Sequence, residues 1–172
     1  NAVNGAAMAG AYYGDKILPG LMQVFSTALN GAIAKLCEHP YFGKTDILTF
    51  KGIKLQNISA RIRRDMLESA VGTAKIIAFP NVLSTTSDPS KSYAVQKFSQ
   101  GYTIECQIRM AKGFDADPFH DEMTMGESEV IGPAGQRFNV VGKEGVLVAD
   151  PEMATHIEID RYLLEPAAGK AR

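Results

Sequence analysis

The chain has 172 residues, 45% of them hydrophobic and 22% charged, with a net charge of -1. Such a composition suits one soluble globular domain with a real core, and near neutrality excludes a general nucleic-acid binder, which needs surplus cations to neutralise phosphates. The absence of any run of about 18 apolar residues excludes a helical membrane span, and the presence of only two cysteines excludes a disulfide-dense scaffold.

Residues 1–14 are rich in Ala and Gly and carry no Lys or Arg. They lack the basic start of a targeting peptide. They read as an extended arm, disordered or ordered by packing on a neighbour, because small residues bury too little apolar area to offset their ordering entropy. A cytoplasmic or virion-associated location is the expectation. From Lys16 to Glu38, Leu18, Leu21, Met22, Phe25, Leu29, Ala32, Ile33 and Leu36 recur at three- and four-residue steps. That spacing predicts an amphipathic helix, with Asp15 as N-cap and Pro40 as stop. Thr45–Leu55 reads as a strand broken by Gly52, a turn or bulge. Residues 57–70 fit a helical face through Ile58, Ile62, Met66 and Ala70, but Ile58, Ala60 and Ile62 also alternate like a strand. The pairs Arg61/Asp65 and Arg64/Glu68 favour the helix.

The run Ala74–Phe79 is apolar and ends at Pro80. Residues 84–92 are polar or proline throughout and read as a loop excluded from the core. The strongest strand signal follows: Tyr102, Ile104, Cys106, Ile108 and Met110 alternate with Thr103, Glu105, Gln107 and Arg109. This predicts one buried and one wet face. Tyr93–Phe98 precedes it as the expected hairpin partner. Residues 113–126 are acidic and irregular. Short strands are expected at Glu129–Ile131, Arg137–Val141, Gly145–Ala149 and Thr155–Leu164, separated in part by glycines. The sum is an α+β domain over 15–166, a helix packed on a mainly antiparallel sheet, with a short tail at 167–172.

Chemical motifs are sparse. Phe42-Gly43-Lys44-Thr45 ends like a phosphate loop, but Glu38 stands where the first glycine is needed and the strand–loop–helix order is reversed. Gly132-Pro133-Ala134-Gly135 is a turn. A calcium loop starting at Asp115 needs glycine at its sixth position and glutamate at its twelfth, where His120 and Gly126 stand. His39 reads as a helix-end residue, and His156 falls on the polar face of its strand. No nucleophile elbow is present. Cys37 and Cys106 sit in apolar patterns and read as buried small hydrophobes, and whether they pair stays open. No cofactor or metal is expected.

Charge is segregated along the chain. Lys51, Lys54, Arg61, Arg63 and Arg64 form a segment of +5, and Asp115, Asp117, Asp121, Glu122, Glu127 and Glu129 one of -6. Complementary patches suit head-to-tail contacts between copies, which close rings or grow tubes. These eleven residues are the candidate subunit interface. The expected function is a structural subunit of a homo-oligomeric ring or tube, not an enzyme, meeting copies of itself and other structural subunits. The order of elements resembles the plan of bacteriophage tail-tube and tail-completion subunits. The alternative is a small α+β enzyme or ligand-binding module whose acidic site centres on His120 with Asp115, Asp117, Asp121 or Glu122.

Overall fold

The computed structural model describes residues 17–55, 58–97, 100–120, 126–150 and 154–168. The arm, residues 121–125 (with Asp121 and Glu122) and residues 169–172 of the tail lie outside them. In chain order the elements are α1 (Ile17–Cys37), β1 (Gly43–Lys54), α2 (Ile58–Ala70), β2 (Ile76–Phe79), β3 (Leu83–Thr86), a 3-10 turn (Pro89–Lys91), α3 (Tyr93–Gln96), β4 (Tyr102–Asp115), a 3-10 turn (Asp117–Phe119), β5 (Glu129–Gly132), β6 (Gln136–Asp150) and β7 (Thr155–Pro166).

The alternation over Tyr102–Met110 places β4 at the centre. It pairs antiparallel with β1 along nearly its whole length and parallel with β7. β7 continues antiparallel to β6, and β6 to the short edge strand β2. The sheet is therefore mainly antiparallel, with one parallel pair. Ile104, Cys106, Ile108 and Met110 are all buried and form the core with Leu67, Leu83, Phe138, Val140, Tyr162 and Leu164. Burying side chains of this size stabilises the fold by about 1.5–3 kcal/mol each. Both cysteines are free and buried. Burial pushes the Cys106 thiol up to about 12.

Pairings β1–β3, β3–β5, β5–β4 and β4–β1 close a circuit at one end of the sheet. Phe50 of β1 faces Thr86 of β3, and Thr86 in turn faces Glu129 of β5. Three strands distant in sequence thus meet within a few residues of one another.

Several expectations are corrected by this packing. Residues 84–86 are strand, and Thr85 and Thr86 are buried. Their hydroxyls join the interior because each donates to a carbonyl across the circuit, Thr85 Oγ1 to Val130 O at 2.8 Å and Thr86 Oγ1 to Glu127 O at 3.0 Å. Tyr93–Gln96 is a short helix, not a hairpin strand. β4 finds its partners in β1 and β7 instead, because α3 packs across β1 and β4. That cover also buries Glu105, expected on a wet face, at 0% exposure. Gly52 breaks nothing. β1 runs through it, and a Cβ there would stand 2.5 Å from Ala94 N, so glycine is what lets α3 sit on the strand. The two strands expected at 137–149 are one, β6, with an irregularity between Val140 and Gly142 that turns Val141 outward.

Residues 58–70 are helix, as their charge pairs favour, and α1 lies within one residue of its expected bounds. Only the end of α1 packs on the sheet. Ile33 and Cys37 join Phe114 and Ala116, whereas Val24 and Phe25 remain 66% and 59% exposed. Among the described residues, no helix is long and apolar enough to cross a membrane.

Tyr162 is buried, and its hydroxyl donates to Glu68 Oε2 at 2.5 Å. Burial first, then Glu68, push it from 10.0 up to about 12. Between those values the unfolded chain releases this proton and the folded chain keeps it. Stability therefore falls as pH rises through that window. Tyr162→Phe removes this part of the slope, read by denaturant unfolding at a series of pH values.

Candidate active site

The closed strand circuit opens onto a cavity of about 310 Å³. Its lining includes Phe50, Lys51 and Gly52 of β1, Ser84 to Thr86 of β3, Lys91 to Tyr93 with Gln96, and Gly126, Glu127 and Glu129 beside β5. A cavity of this size with a few convergent polar groups is the ordinary form of a small-molecule site.

Glu129 is held through both carboxylate oxygens. Its side chain is 20% exposed. Ser84 Oγ donates to Oε1, and His120 Nε2 lies 2.6 Å from Oε2. The register explains the first contact. Thr86 faces Glu129 across the ladder, and Ser84, two residues earlier, projects from the same face of β3. The backbone of Glu129 is held as well: its N–H donates to Asp117 Oδ1 and that of Ser128 to Oδ2, both at 3.0 Å. Ser128 stands at φ 54°, an uncommon conformation for a residue with a side chain. Asp117 thus secures a strained residue between Glu127 and Glu129. Glu127 is exposed at the cavity mouth.

Lys51 supplies the opposite charge. Its Nζ donates to Ser84 O at 3.0 Å. Burial holds its ammonium below the ordinary lysine value, with Arg63 adding to that push and Cys106 and Glu129 opposing it. Lys91 closes one wall, its Nζ donating to Gly126 O and to Ser128 Oγ, the latter at 3.0 Å.

A largely buried carboxylate, a hydroxyl and an ammonium in one cavity, with the His120 imidazole behind the carboxylate, can stabilise a developing positive charge and hold an anionic substrate. Among the described residues, no group of three or more His, Cys, Asp or Glu could hold a metal ion.

No family model and no curated protein matches the chain. Solved structures do. HopU1, an ADP-ribosyltransferase of Pseudomonas syringae pv. Tomato, superposes with a TM-score of 0.54 at 14% identity over 78% of this chain and 49% of its own. The ATR domain of Salmonella SpvB gives 0.58 at 14% identity, over 96% of this chain and 84% of its own. BECa, an ADP-ribosylating toxin of C. perfringens solved with NADH, gives 0.60 at 11%, over 95% and 42%. The fold is that of ADP-ribosyltransferase catalytic domains. The chain spans about half the length of HopU1 and less of BECa.

This likeness overturns the expectation of a non-enzymatic assembly subunit, a phage-tail or virion component. The structures that share this fold are enzymes, and the order of helix and strands was too general to tell the two apart.

The charged residues expected at a subunit boundary are placed as follows. Lys51, Glu127 and Glu129, from the two opposed segments, line the same cavity within one chain. Asp117 holds the Glu129 backbone, and Asp115 Oδ1 accepts from Asp117 N at 3.1 Å. Lys54 lies over the Tyr102 ring, Arg64 pairs with Asp160, and Arg61 and Arg63 are exposed on α2. His120 does meet carboxylates, Asp117 as expected and, at the shorter distance, Glu129, which was not expected. His39 Nδ1 accepts from Tyr41 N at 3.1 Å in the turn after α1, and His156 is exposed on β7.

Ser84, Thr86 and the cavity role of Lys51 escaped the sequence reading. One signal was available: Glu127 and Glu129 are separated by one residue, immediately before the apolar pair Val130-Ile131.

Proposed function

We propose that this chain is an ADP-ribosyltransferase that breaks the bond between nicotinamide and ribose in a nicotinamide dinucleotide and passes the ADP-ribosyl group to an acceptor. The observation that carries the reading is the Glu129 carboxylate, fixed through both oxygens inside a cavity of this fold. The donor is inferred from the chemistry that names the neighbours, one of which was solved with NADH.

The cavity's groups suit that substrate. Glu129 is a localised negative charge where positive charge must develop. As the glycosidic bond breaks, its electron pair leaves with nicotinamide, and the ribose becomes an oxocarbenium-like cation. Glu129 stabilises that cation. The acceptor then attacks the anomeric carbon, and its proton passes to Glu127 at the cavity mouth. Lys51 has further N–H donors beyond the one on Ser84 O, and these suit the diphosphate of the donor. Phe50 and Tyr93 offer ring faces for a flat base.

Incubation with oxidised dinucleotide labelled in the adenylate half, with and without a host-cell extract, tests the proposal. Release of nicotinamide with label covalently fixed to protein is the expected result. Absence of both, from a folded preparation across acceptor sources, overturns it.

A further inference from the structure

Glu129 needs more than its own strand to stay in place, and the segment that holds it lies between β4 and β5. The 3-10 turn Asp117–Phe119 ends on His120, whose backbone N–H donates to Asp117 O at 3.1 Å. Pro118 fixes one backbone angle of that turn. Phe119 packs its ring on Phe42 and Phe114, at centroid distances of 4.9 and 6.1 Å. On the other side Asp117 receives the two N–H groups of Ser128 and Glu129. Ala116 N also donates to Glu129 O at 2.9 Å. The turn and the start of β5 are therefore bound at three backbone points. The His120 ring projects from this fixed frame to Glu129 Oε2 at 2.6 Å and is only 16% exposed.

We propose that His120 is a positioning residue, which fixes the plane of the Glu129 carboxylate through Nε2 while Ser84 fixes the other oxygen. The inference rests on Glu129 being the charge that faces the substrate. Each carboxylate oxygen carries two lone pairs, so one per oxygen remains for a ligand. With His120 removed, Ser84 is the remaining hydrogen-bond partner of the side chain among the described residues, and the carboxylate then samples other rotamers. A misplacement of about 1 Å costs on the order of a hundredfold in rate. Ground-state binding of the dinucleotide, made elsewhere in the cavity, is untouched.

Two variants separate this role from a merely structural one. His120→Ala loses the donor. His120→Gln keeps an N–H donor of similar reach. The expected result is a kcat for nicotinamide release reduced about tenfold to a hundredfold in His120→Ala, with KM within about twofold, and substantial recovery in His120→Gln. Crystal structures of the same proteins give an independent readout: the Glu129 carboxylate keeps its place in wild type and His120→Gln and leaves it in His120→Ala. A carboxylate unmoved in His120→Ala, or wild-type kcat in that variant, overturns the positioning role. A wild-type protein that releases no nicotinamide overturns the proposed activity instead, and the crystal structures still decide whether His120 holds Glu129.

Discussion

Glu129→Gln is expected to slow nicotinamide release by about a thousandfold or more while leaving the affinity for the dinucleotide within about threefold. The amide is nearly isosteric with the carboxylate, so the packing around β5 is kept. Its carbonyl oxygen still accepts from one of the two donors, Ser84 Oγ or His120 Nε2. The formal charge is lost. A group whose interaction with substrate strengthens only as positive charge develops lowers kcat and kcat/KM together when removed. Single-turnover measurement of nicotinamide release, beside calorimetric titration of the dinucleotide, separates the two quantities. Equal loss of affinity and rate would mean that Glu129 binds the donor without stabilising the transition state. Near wild-type turnover would remove it from the chemistry altogether. Glu127, exposed at the mouth, should behave differently: Glu127→Gln lowers transfer to a protein acceptor more than it lowers release of nicotinamide to water.

The second large effect is on stability. Arg161→Met is expected to cost about 3–5 kcal/mol of unfolding free energy. Glu105 is wholly buried, and Arg161 Nε meets its Oε2 at 2.5 Å. Among the described residues, Glu105 Oε1 has no hydrogen-bond partner. Removing the guanidinium leaves a buried charge with nothing to compensate it, and that desolvation cost is the source of the loss. Replacing both residues, Glu105→Leu with Arg161→Met, should recover most of it, because the pair's attraction roughly repays its own burial. Denaturant unfolding of the two single variants and the double variant makes the test. Additive losses in the double variant would show that the two charges act independently. The pair also bears on the cavity, since the guanidinium carbon lies 5.5 Å from the centre of the Phe50 ring and Phe50 lines the site. Arg161→Met should therefore weaken dinucleotide binding as well.

How much of this was legible beforehand depends on the range of the interaction. β4 was readable because the alternation of a strand is a local period of two, and its buried face is where the pattern puts it. α1 was readable in its bounds for the same reason, a period of 3.6 with recognisable ends, whereas α2 was ambiguous, because Ile58, Ala60 and Ile62 also fit a strand and only the charge pairs favoured the helix it forms. What α1 packs against was not readable. Its stripe predicts a covered face, yet among the described residues it is the end of the helix, Ile33, Leu36 and Cys37, that packs against the sheet, while Val24 and Phe25 stay exposed. Residues 84–86 mark the opposite failure. Hydroxyl side chains score as loop when judged alone, and become core when carbonyls of residues 127 and 130 arrive to accept their protons.

The sequence by itself determined an α+β chain built on a central alternating strand, with two segregated charge segments and an imidazole among carboxylates. Those are properties of composition and short-range periodicity. Only the tertiary structure decided that Lys51, Ser84 and Glu129 share one cavity, and that Asp117 and His120 hold the last of them. Closing the circuit β1–β3–β5–β4 brings together residues 78 positions apart, Lys51 and Glu129. No local period records such a closure. Its hydrogen bonds form between strands whose pairing is set by the burial of one face of β4, with Glu105 alone of the alternate residues 103–111 buried on the other, and so the opposed charges meet within one chain.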